Sequence, residues 1–434
     1  RESWKFVTKQ ELIDQGRKLI DVKWVFKIKD EPDHSKRYKS RIVTKGFQQI
    51  PGVDYTEKFS PVAQASSLRA GLSYTLYKNG WVCELVDIEA AFLEGRLKSK
   101  CYIKLPPGIV ELGFMSKEQY EELCIELQGG MYGNVDAALL YFIRFTDYAT
   151  KKNGLDMIQS LADPCVFYKK DGEGRTIAIV IVYVDDCCIM GEQEDVDEIK
   201  AKLKEEFGTV EDGKLRKLLG VRYEWHENKE SGERHLEMHM NDKAEEIVKS
   251  YEKITGKAPK VYDTPGAPGE VLTKNEKEII MLDEYRSMIG KLMFYTTKIA
   301  PECSYAVGQL ARHMQNPGKQ HWKALGRAVG YVKGKAKHSL IMRKPLEMRI
   351  VSFCDSSYGD CKDTRRSTGG DLHTIGGAII SWRAQLLKMI CLSSTEAEYI
   401  TLTEATKEQK FLQMLLEEVM ECETPGMVYE DNEA

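Results

Sequence analysis

Two periodicities divide the chain into expected strands and helices. Alternating apolar and polar residues, or a short β-branched run, predict strands, and an apolar spacing of three to four predicts amphipathic helices. The expected strands cover residues 21–29, 37–45, 81–88, 176–183, 187–190, 349–354 and 377–382. The expected helices cover residues 134–153, 195–207 and 394–419, with several more between 284 and 337. The pattern therefore predicts a chain of mixed strands and helices.

Turn-forming residues mark the ends of these elements. Pro32-Asp33-His34 predicts a turn that joins the first two strands into a basic hairpin. Gly208 is expected to end one helix, and Ser394 or Thr395 to cap the start of another. Residues 264–269, with two prolines and two glycines, are the clearest linker signal in the chain.

Composition limits the class of protein. The chain has 434 residues, 42% of them hydrophobic and 30% charged, which suits two to four domains that each bury a core. This composition excludes a disordered tail, a collagen-like fibre and a disulfide-stapled mini-protein. The longest apolar run, residues 177–184, is far shorter than the roughly 20 residues that span a membrane. The chain starts at Arg1 without a signal-peptide pattern, so we expect it to be part of a longer product.

Charge and cysteine usage narrow the class further. The net charge is −4, but residues 1–80 carry 16 basic and 9 acidic residues, and residues 286–350 carry 13 basic and 2 acidic. Such segments suit contacts with nucleic-acid phosphates, although solvated lysine-rich helix faces would give the same counts. The 11 cysteines include no Cys-x-x-Cys pair, and no histidine pair has zinc spacing. We therefore expect reduced cysteines, an intracellular location and no structural zinc site.

Acidic residues stand at the ends of two expected strands. Asp87 ends one strand, and Asp185-Asp186 lies where an apolar strand turns back. Brought to one edge of a sheet, these carboxylates would repel each other unless a cation lay between them, and oxygen-only ligands suit Mg²⁺. An ordinary polar hairpin turn is the alternative for Asp185-Asp186, because aspartate is common in turns.

The motif Tyr183-Val-Asp-Asp186 resembles the polymerase signature of reverse transcriptases. Its surroundings resemble the copia-type (pseudoviral) LTR-retrotransposon polyprotein, through motifs at residues 23–29, 37–47, 59–63, 86–95, 104–108, 163–167, 217–220 and 285–290. These motifs follow in family order, and the resemblance covers essentially the whole chain. It implies an α+β fold: a right-hand polymerase, with a ferredoxin-like palm, fingers and thumb, followed by an RNase H-like α/β domain.

The resemblance also implies roles for individual residues. Asp87, Asp185 and Asp186 would bind two Mg²⁺ ions, for which Mn²⁺ can substitute, and Phe92 would exclude a ribose 2′-hydroxyl. The residues implied to bind the nucleotide are Phe92, Lys39, Arg41, Lys45 and Tyr183. The residues implied to contact the primer or hybrid are Leu218, Leu219, Gly220, Arg365 and Arg366. The alternatives are core packing for Phe92, a solvated hairpin face for the basic residues of the hairpin, and pairing with neighbouring acids for the two later arginines.

One segment departs from the family pattern. Where the family usually reads Leu-Tyr-Gly-Leu-Lys-Gln-Ala-Ser-Arg-Gln-Trp, residues 131–141 read Met-Tyr-Gly-Asn-Val-Asp-Ala-Ala-Leu-Leu-Tyr. Val135 and Asp136 replace the customary Lys-Gln, and Leu139 replaces the arginine. The expected nucleotide pocket thereby loses a cation and an amide. Either a variant subfamily compensates elsewhere, or this copy is weakened.

A second group of acids lies near the end of the chain. Asp355 is near a strand end, Glu396 is in the first turn of the last expected helix, and Asp431 follows a short strand. Singly, each is typical of a surface carboxylate. Together with residues 363–369, 376–382 and 392–399 they resemble the family's RNase H domain, which implies two-metal hydrolysis of RNA with Asp355, Glu396 and Asp431 as ligands. The chain ends three residues later, so we expect an incomplete nuclease fold.

The resemblance implies partners, domains and rival functions. The partners would be an RNA template, a DNA primer, RNA–DNA hybrid, deoxynucleoside triphosphates and other polyprotein products such as a gag-like protein and an integrase, in a cytoplasmic virus-like particle and the nucleus, with no membrane. The expected divisions are fingers at 1–80, palm with remaining fingers at 81–210, primer grip, thumb and connection at 211–345, and a truncated RNase H-like domain at 346–434. The rivals are a non-catalytic remnant that binds nucleic acid or protein, and another metal-dependent phosphotransferase such as a nucleotide cyclase.

Overall fold

The computed structural model describes residues 3–30, 35–228, 230, 232–422 and 425–431. The predicted turn at Pro32-Asp33-His34 lies outside these ranges. The chain forms two compact units, each built from separate stretches of sequence. The first unit contains Arg1–Ala63, Glu84–Ile189 and Glu194–Gly213, and the second contains Gln64–Cys83, Met190–Gln193 and Lys214–Ala434.

Strands and helices alternate along the chain, and this mixture confirms the expected α+β class. The strands are β1 (Trp4–Thr8), β2 (Leu19–Ile20), β3 (Val22–Asp30), β4 (Lys36–Thr44), β5 (Val82–Ile88), β6 (Arg96–Ile103), β7 (Leu123–Gly129), β8 (Ile158–Gln159), β9 (Val166–Lys170), β10 (Thr176–Tyr183), β11 (Asp186–Gly191), β12 (Thr209–Lys214), β13 (Lys217–Leu218), β14 (Val221–Glu227), β15 (Arg234–His239), β16 (Leu340–Arg343), β17 (Ile350–Ser357), β18 (Thr368–Ile375), β19 (Ala378–Leu386) and β20 (Met427–Tyr429).

The α-helices are α1 (Lys9–Asp14), α2 (Ala65–Tyr77), α3 (Lys117–Glu122), α4 (Ala137–Thr150), α5 (Gln193–Phe207), α6 (Asn241–Thr255), α7 (Leu282–Ile299), α8 (Ser304–Ala311), α9 (Lys319–Gly334) and α10 (Ser394–Met420). Short 3-10 helices cover Gly46–Gln48, Ala91–Leu93 and Pro301–Cys303. Within the described residues, no helix is long and apolar enough to cross a membrane.

A six-stranded sheet, in the order β12-β5-β11-β10-β9-β8, carries the first group of acids. Its central strand β10 is buried along most of its length, as its β-branched sequence predicts. The aromatic rings of Phe145 on α4 and Phe207 on α5 stack at 5.9 Å, and Phe145 meets Phe167 of β9 edge-on at 5.5 Å. All three rings are fully buried, so each stabilises the packing of these helices on the sheet by about 1.5–3 kcal/mol.

The predicted basic hairpin is β3–β4, whose antiparallel register runs from Val22 opposite Thr44 to Asp30 opposite Lys36. The other sheet of the first unit has the order β1-β7-β6-β2.

The second unit contains two four-stranded sheets, in the orders β13-β14-β15-β16 and β19-β18-β17-β20. The long helix α10 packs on β17 and β18. Its N-cap is Ser393, not the predicted Ser394 or Thr395, because the Ser393 hydroxyl accepts a hydrogen bond from the Glu396 amide at 3.1 Å.

One residue of the second unit comes from far upstream in sequence. Arg69 on α2 is buried and donates hydrogen bonds to the carbonyl oxygens of Ile380, Thr297 and Lys298 at 2.8–3.1 Å. Its guanidinium also stacks over the ring of Trp382 at 4.1 Å. The helix α2, which the sequence assigns to the fingers, thus packs with elements more than 200 residues downstream.

Candidate functional site

Asp87, Asp185 and Asp186 lie at one edge of the six-stranded sheet. Asp87 is near the end of β5, which is the neighbour of β11, and Asp185-Asp186 stands where β10 turns into β11. The amide of Ile88 donates to the carbonyl oxygen of Asp185 at 2.8 Å, which fixes the end of β5 against this turn. The structure therefore places the three acids that the sequence singles out at the same edge of one sheet, and each is half-buried.

The turn that carries two of these acids is strained. Val184 has a φ of +57°, in the left-handed region that a β-branched residue rarely adopts. The preceding Tyr183 is buried at the end of β10, so the turn is held from a rigid strand. Strain of this kind persists only where the surrounding structure imposes it, and it is typical of functional turns.

Two buried side chains lie close enough to the acids to feel their charge. Burial, followed by the charges of Asp186, Cys188, Asp185 and Asp87, raises the pKa of the Cys187 thiol well above its usual value. Burial also raises the pKa of Tyr141, with the charges of Cys187, Asp185, Glu94 and Asp87 adding to the effect. Both side chains therefore stay protonated and neutral beneath the acidic edge. Within the described residues, the Tyr141 hydroxyl has no hydrogen-bond partner.

Two aromatic side chains and an arginine form an aromatic wall that follows the first acidic motif. Phe92, in the 3-10 helix five residues after Asp87, meets the ring of Tyr132 edge-on at 5.1 Å. The guanidinium of Arg41 on β4 lies 4.6 Å from the centre of the same Tyr132 ring. Phe92 is half-buried, so part of its ring is free to contact a ligand. Tyr132, which the sequence reasoning did not single out, thus links two predicted nucleotide-binding residues.

Two glycines allow this close approach of β4 to the segment that carries Tyr132. A Cβ on Gly133, whose φ is +93°, would lie 2.2 Å from the carbonyl oxygen of Thr44. A Cβ on Gly46 would lie 2.1 Å from the carbonyl oxygen of Gly133. The Thr44 amide donates to the Tyr132 carbonyl oxygen at 2.8 Å, so side chains at both places would separate the hairpin from this segment.

The other basic residues predicted for the nucleotide differ in their surroundings. Lys39 is half-buried on β4, opposite Lys27 of β3. The ammonium of Lys45 lies 3.2 Å from Asp21, whose carboxylate also receives Lys104 at 2.7 Å. Lys104, then Gln48 and Lys45, hold the pKa of Asp21 far below its usual value. Lys45 therefore belongs to an ion-pair network at the base of the hairpin.

The segment that departs from the family pattern contains a buried acid. Asp136 is buried directly before α4, and burial raises the pKa of its carboxyl group. Within the described residues, Oδ1 of Asp136 has no hydrogen-bond partner. The Val135 amide donates to Gln49 at 2.7 Å. The buried environment of Asp136 therefore disfavours the ionised form of its carboxyl group.

The residues predicted to contact the primer form a tight turn in the second unit. Leu218 pairs with Val221, which leaves Leu219 and Gly220 as the two turn residues, with φ values of +50° and +85°. Positive φ at both positions is typical of a type I′ hairpin turn, in which a leucine is strained. Leu218 is buried, whereas Leu219 is exposed at the tip.

The second group of acids lies on β17, on α10 and after β20, at the strand and helix positions that the sequence predicts. Asp355 is exposed on β17, and the residue of α10 that approaches it is Glu398. Glu398 Oε1 accepts hydrogen bonds from the Ser356 hydroxyl at 2.8 Å and the Ser356 amide at 3.3 Å. Burial, and then the charges of Asp355 and Glu430, raise the pKa of Glu398. Within the described residues, Oε2 of Glu398 is buried without a hydrogen-bond partner.

Glu396, the predicted residue, has a local role at the start of α10. Its carboxylate accepts a hydrogen bond from the Leu392 amide, and its own amide donates to Ser393. This reciprocal pattern resembles a capping box, in which the glutamate satisfies a backbone amide. The prediction from the sequence named Glu396 and did not name Glu398, and the spacing Ser393-x-x-Glu396 is itself a capping signal.

The remaining predicted residues of this region lie around the same sheet. Strand β20 pairs with β17 in parallel and places Tyr429 opposite Phe353, and Asp431 follows it in an exposed position. Arg365 is exposed with a φ of +57°, and Arg366 is half-buried; both lie in the connection between β17 and β18. A cavity of about 630 Å³ beside Asp355 is lined among others by Phe353, Leu372 and Trp382.

Comparison with known protein families decides the class. The family model described as "Reverse transcriptase (RNA-dependent DNA polymerase)" matches residues 2–263, which include Asp87, Asp185 and Asp186. The chain belongs to this reverse transcriptase family. Together with the transposon Pol polyproteins that the chain matches over most of its length, this match confirms the resemblance to copia-type retrotransposon proteins.

The relatives of this reverse transcriptase family member include longer Pol polyproteins, of which the chain matches a part. The chain is 30% identical over 433 residues to the retrovirus-related Pol polyprotein from transposon TNT 1-94 of Nicotiana tabacum, which covers 97% of the chain and 31% of the relative. It is 28% identical over 420 residues to the corresponding polyprotein from transposon RE1 of Arabidopsis thaliana, covering 95% and 27%. The chain thus spans less than a third of the length of these relatives.

A solved structure with the same broad coverage is that of a foamy viral protease-reverse transcriptase in complex with double-stranded DNA. It is 14% identical, with a TM-score of 0.47, and the similarity covers 96% of this chain and 60% of that chain.

Proposed function

We propose that this chain is an RNA-directed DNA polymerase that uses Mg²⁺. The observation that carries the proposal is the arrangement of Asp87, Asp185 and Asp186 at one sheet edge in a member of the reverse transcriptase family. Three carboxylates supply an oxygen-only donor set, which fits Mg²⁺ and leaves positions for water and phosphate oxygens. Such ions, when bound, stabilise negative charge on the attacking and leaving oxygens of phosphoryl transfer.

The protein's own residues would position the reactants. Phe92, backed by Tyr132, would pack beneath the sugar of a deoxynucleoside triphosphate and exclude a 2′-hydroxyl by steric contact. Arg41, held over Tyr132, would contact the triphosphate through its guanidinium, and Lys39 lies on the same strand. The primer 3′-hydroxyl would attack the α-phosphorus, the bond to the pyrophosphate would break, and pyrophosphate would leave.

Primer extension tests this proposal. The wild-type chain, an RNA template with a DNA primer, deoxynucleoside triphosphates and Mg²⁺ are expected to give extended DNA. Asp185→Asn is expected to lower extension by at least about 1,000-fold, because it removes one charge from the donor set. Asp156→Asn is the matched control: Asp156 is exposed in the same unit, and its φ of +55° suits asparagine.

Two outcomes would contradict the proposal. If the wild-type chain binds the template-primer but does not extend it, the chain is a non-catalytic remnant that binds nucleic acid, which is the rival function inferred from the sequence. If Asp185→Asn extends as well as Asp156→Asn does, the acidic edge is not the active site.

A second activity, hydrolysis of RNA in an RNA–DNA hybrid, is favoured by the C-terminal sheet. In β19-β18-β17-β20 the strand β20 is parallel to β17, and α10 brings Glu398 toward Asp355. The unpartnered buried Oε2 of Glu398 beside a second carboxylate suits a divalent cation. We therefore assign Asp355 and Glu398, in place of Glu396, to this proposed site. The divisions expected from the sequence, from fingers to RNase H-like domain, belong to the same proposal.

A hybrid with labelled RNA measures this activity. The wild-type chain with Mg²⁺ is expected to cleave the RNA strand, and Asp355→Asn is expected to abolish cleavage while leaving primer extension intact. If Asp355→Asn also abolishes primer extension, or if it leaves cleavage unchanged, the assignment is wrong.

A further inference from the structure

A cluster of two histidines and a glutamate lies on the hairpin β14–β15 in the second unit. His226 on β14 pairs directly with His235 on β15, and Glu237 follows two residues later on the same face. Oε1 of Glu237 lies 3.7 Å from Nε2 of His235 and 4.0 Å from Nε2 of His226. One ligand atom from each residue lies within 4.8 Å of the other two. This cluster has no part in the proposed polymerase or nuclease sites.

The hairpin provides a rigid base for these side chains. The opposite face of the same strands carries Tyr223, paired with Met238, and Trp225, paired with Leu236. Leu236 is fully buried, and Tyr223 and Met238 are nearly so. The backbone positions of the three polar residues are therefore fixed by the core, while the ends of their side chains reach solvent and can rotate.

The electrostatic environment favours a cation. Glu224 and Glu237 are directly opposite each other in the register, an arrangement in which like charges destabilise the strand pair. Glu224 pairs with His239 at 2.9 Å, whereas Glu237 lies beside the exposed His226 and the half-buried His235. Two arginines lie on the same face: Arg343 of β16 is opposite His235, and Arg222 of β14 is opposite His239. A divalent cation bound among the two imidazoles and the carboxylate would offset the repulsion between the paired glutamates.

We propose that His226, His235 and Glu237 bind a divalent transition-metal ion of the Zn²⁺ class, with a fourth position open to water. Two imidazole nitrogens and one carboxylate oxygen are typical ligands of Zn²⁺, whereas Mg²⁺ prefers oxygen ligands alone. The site therefore differs in chemistry from the oxygen-only acidic sites.

The geometry needs only small side-chain movements. Zn–N and Zn–O bonds of about 2.0–2.2 Å place tetrahedral ligand atoms roughly 3.3–3.6 Å apart. The separations of 3.7 and 4.0 Å involving Glu237 must close by a few tenths of an ångström. The two rings are stacked at 4.6 Å with 13° between their planes, so their lone pairs run side by side and the rings must tilt to converge.

The sequence shows no zinc spacing here because the two histidines are nine residues apart. They become neighbours only because the hairpin folds one strand onto the other. The spacing of histidines along the sequence, on which the expectation of no zinc site was based, therefore gives no sign of this cluster.

Calorimetric titration of the full chain with ZnCl₂, in excess Mg²⁺ and a thiol-free reductant, tests the proposal. Excess Mg²⁺ occupies the oxygen-only sites, so they do not compete for Zn²⁺. We expect one equivalent of Zn²⁺ to bind, His235→Gln to weaken binding by more than about tenfold, and His226→Gln/His235→Gln to abolish it. His338→Gln, at an exposed histidine in the same unit, is the matched control and is expected to bind as the wild type does.

Replacement of Zn²⁺ by Co²⁺ distinguishes these ligands from the cysteines. We expect weak visible bands of nitrogen and oxygen coordination, without the intense near-ultraviolet band of a cobalt–thiolate bond. The proposal is wrong if the wild-type chain binds no Zn²⁺, if the double variant binds as well as His338→Gln does, or if the thiolate band accompanies the first equivalent. Circular dichroism of the metal-free double variant is expected to match the wild type, since both replaced side chains reach solvent.

Discussion

The two groups of acids in this chain are built from different local structures. In the first unit, Asp87 and Asp185-Asp186 stand at a strand end and a strained turn of one sheet. In the second unit, Asp355 is on a strand, Glu396 and Glu398 are on a helix, and Asp431 follows a short strand. For an acid at a strand end, its position in the sequence is enough to predict the sheet edge where it lies. For an acid on a helix, the direction of the side chain depends on its angle around the helix axis. The choice between neighbouring acids then depends on which face of the helix packs on the sheet.

Glu396 and Glu398 show how much this angle matters. Two residues along an α-helix correspond to a rotation of about 200°, so these two carboxylates point in nearly opposite directions. Glu398 is buried against Ser356 of β17, whereas Glu396 turns back to the amide that precedes the helix. A motif with two glutamates therefore identifies a site only when the capping residue and the buried face of the helix are both known.

The largest change in activity is predicted for a substitution that affects only one of the two acidic regions. Asp87→Asn is expected to lower primer extension by at least about 1,000-fold and to leave hybrid hydrolysis within about twofold of the wild type, because the acids of the two regions belong to different sheets. Both activities are measured on one preparation. Parallel loss of both would show that the two regions do not form separate sites.

The second effect distinguishes the two glutamates of α10. Glu398→Gln is expected to lower hybrid hydrolysis by at least about 100-fold, since it removes the charge next to Asp355. Glu396→Gln is the matched control and is expected to keep activity within about twofold, because glutamine also serves in a capping box. Cleavage rates of a labelled hybrid measure both. The opposite ranking would restore the residue chosen from the sequence.

A smaller effect tests the aromatic wall of the first region. Phe92→Ala is expected to raise the incorporation of ribonucleotides relative to deoxynucleotides by about 10–100-fold, because the ring that would exclude a 2′-hydroxyl is removed. Single-nucleotide incorporation with each sugar gives the ratio. Phe92→Tyr, which keeps a ring, is expected to retain discrimination. An unchanged ratio in Phe92→Ala would favour simple core packing for this residue.

The smallest effect concerns the stability contribution of Asp136, the buried acid in the segment that departs from the family pattern. Asp136 has a raised pKa in the folded chain, so the fold binds its proton more tightly than the unfolded chain does. The wild type should therefore lose stability as the pH rises from the unfolded pKa through the folded pKa. Asp136→Asn removes this titration and is expected to gain about 1 kcal/mol over the wild type at pH 7.5 and little near pH 4.

Urea denaturation at the two pH values measures this difference. Asp156→Asn, at an exposed position, is expected to show no such pH-dependent gain. Equal destabilisation of Asp136→Asn at both pH values would mean that the carboxyl group makes a contact that the amide cannot replace.

Local patterns predict local structure well in this chain. The hairpin β3–β4, the buried strand β10 and the helices α4, α5 and α10 follow from periodicity, because each buries one face against neighbours. The acidic edge is predictable for the same reason. Contacts between distant segments are not: nothing near Arg69 in sequence indicates that it binds carbonyl groups more than 200 residues away. Tyr132 and Glu398 acquire their places only through such packing.

Single-turnover incorporation of one deoxynucleotide on an RNA template measures the reaction that we assign to Asp87, Asp185 and Asp186. Rapid mixing of the wild-type chain, bound to template-primer, with Mg²⁺ and the complementary deoxynucleoside triphosphate is expected to extend the primer by one residue. Asp185→Asn is expected to bind the same template-primer with similar affinity and to leave the primer unextended. Equal extension by the two proteins, or no extension by a wild-type chain that binds the template-primer, would contradict the assignment of Asp87, Asp185 and Asp186 as the polymerase site.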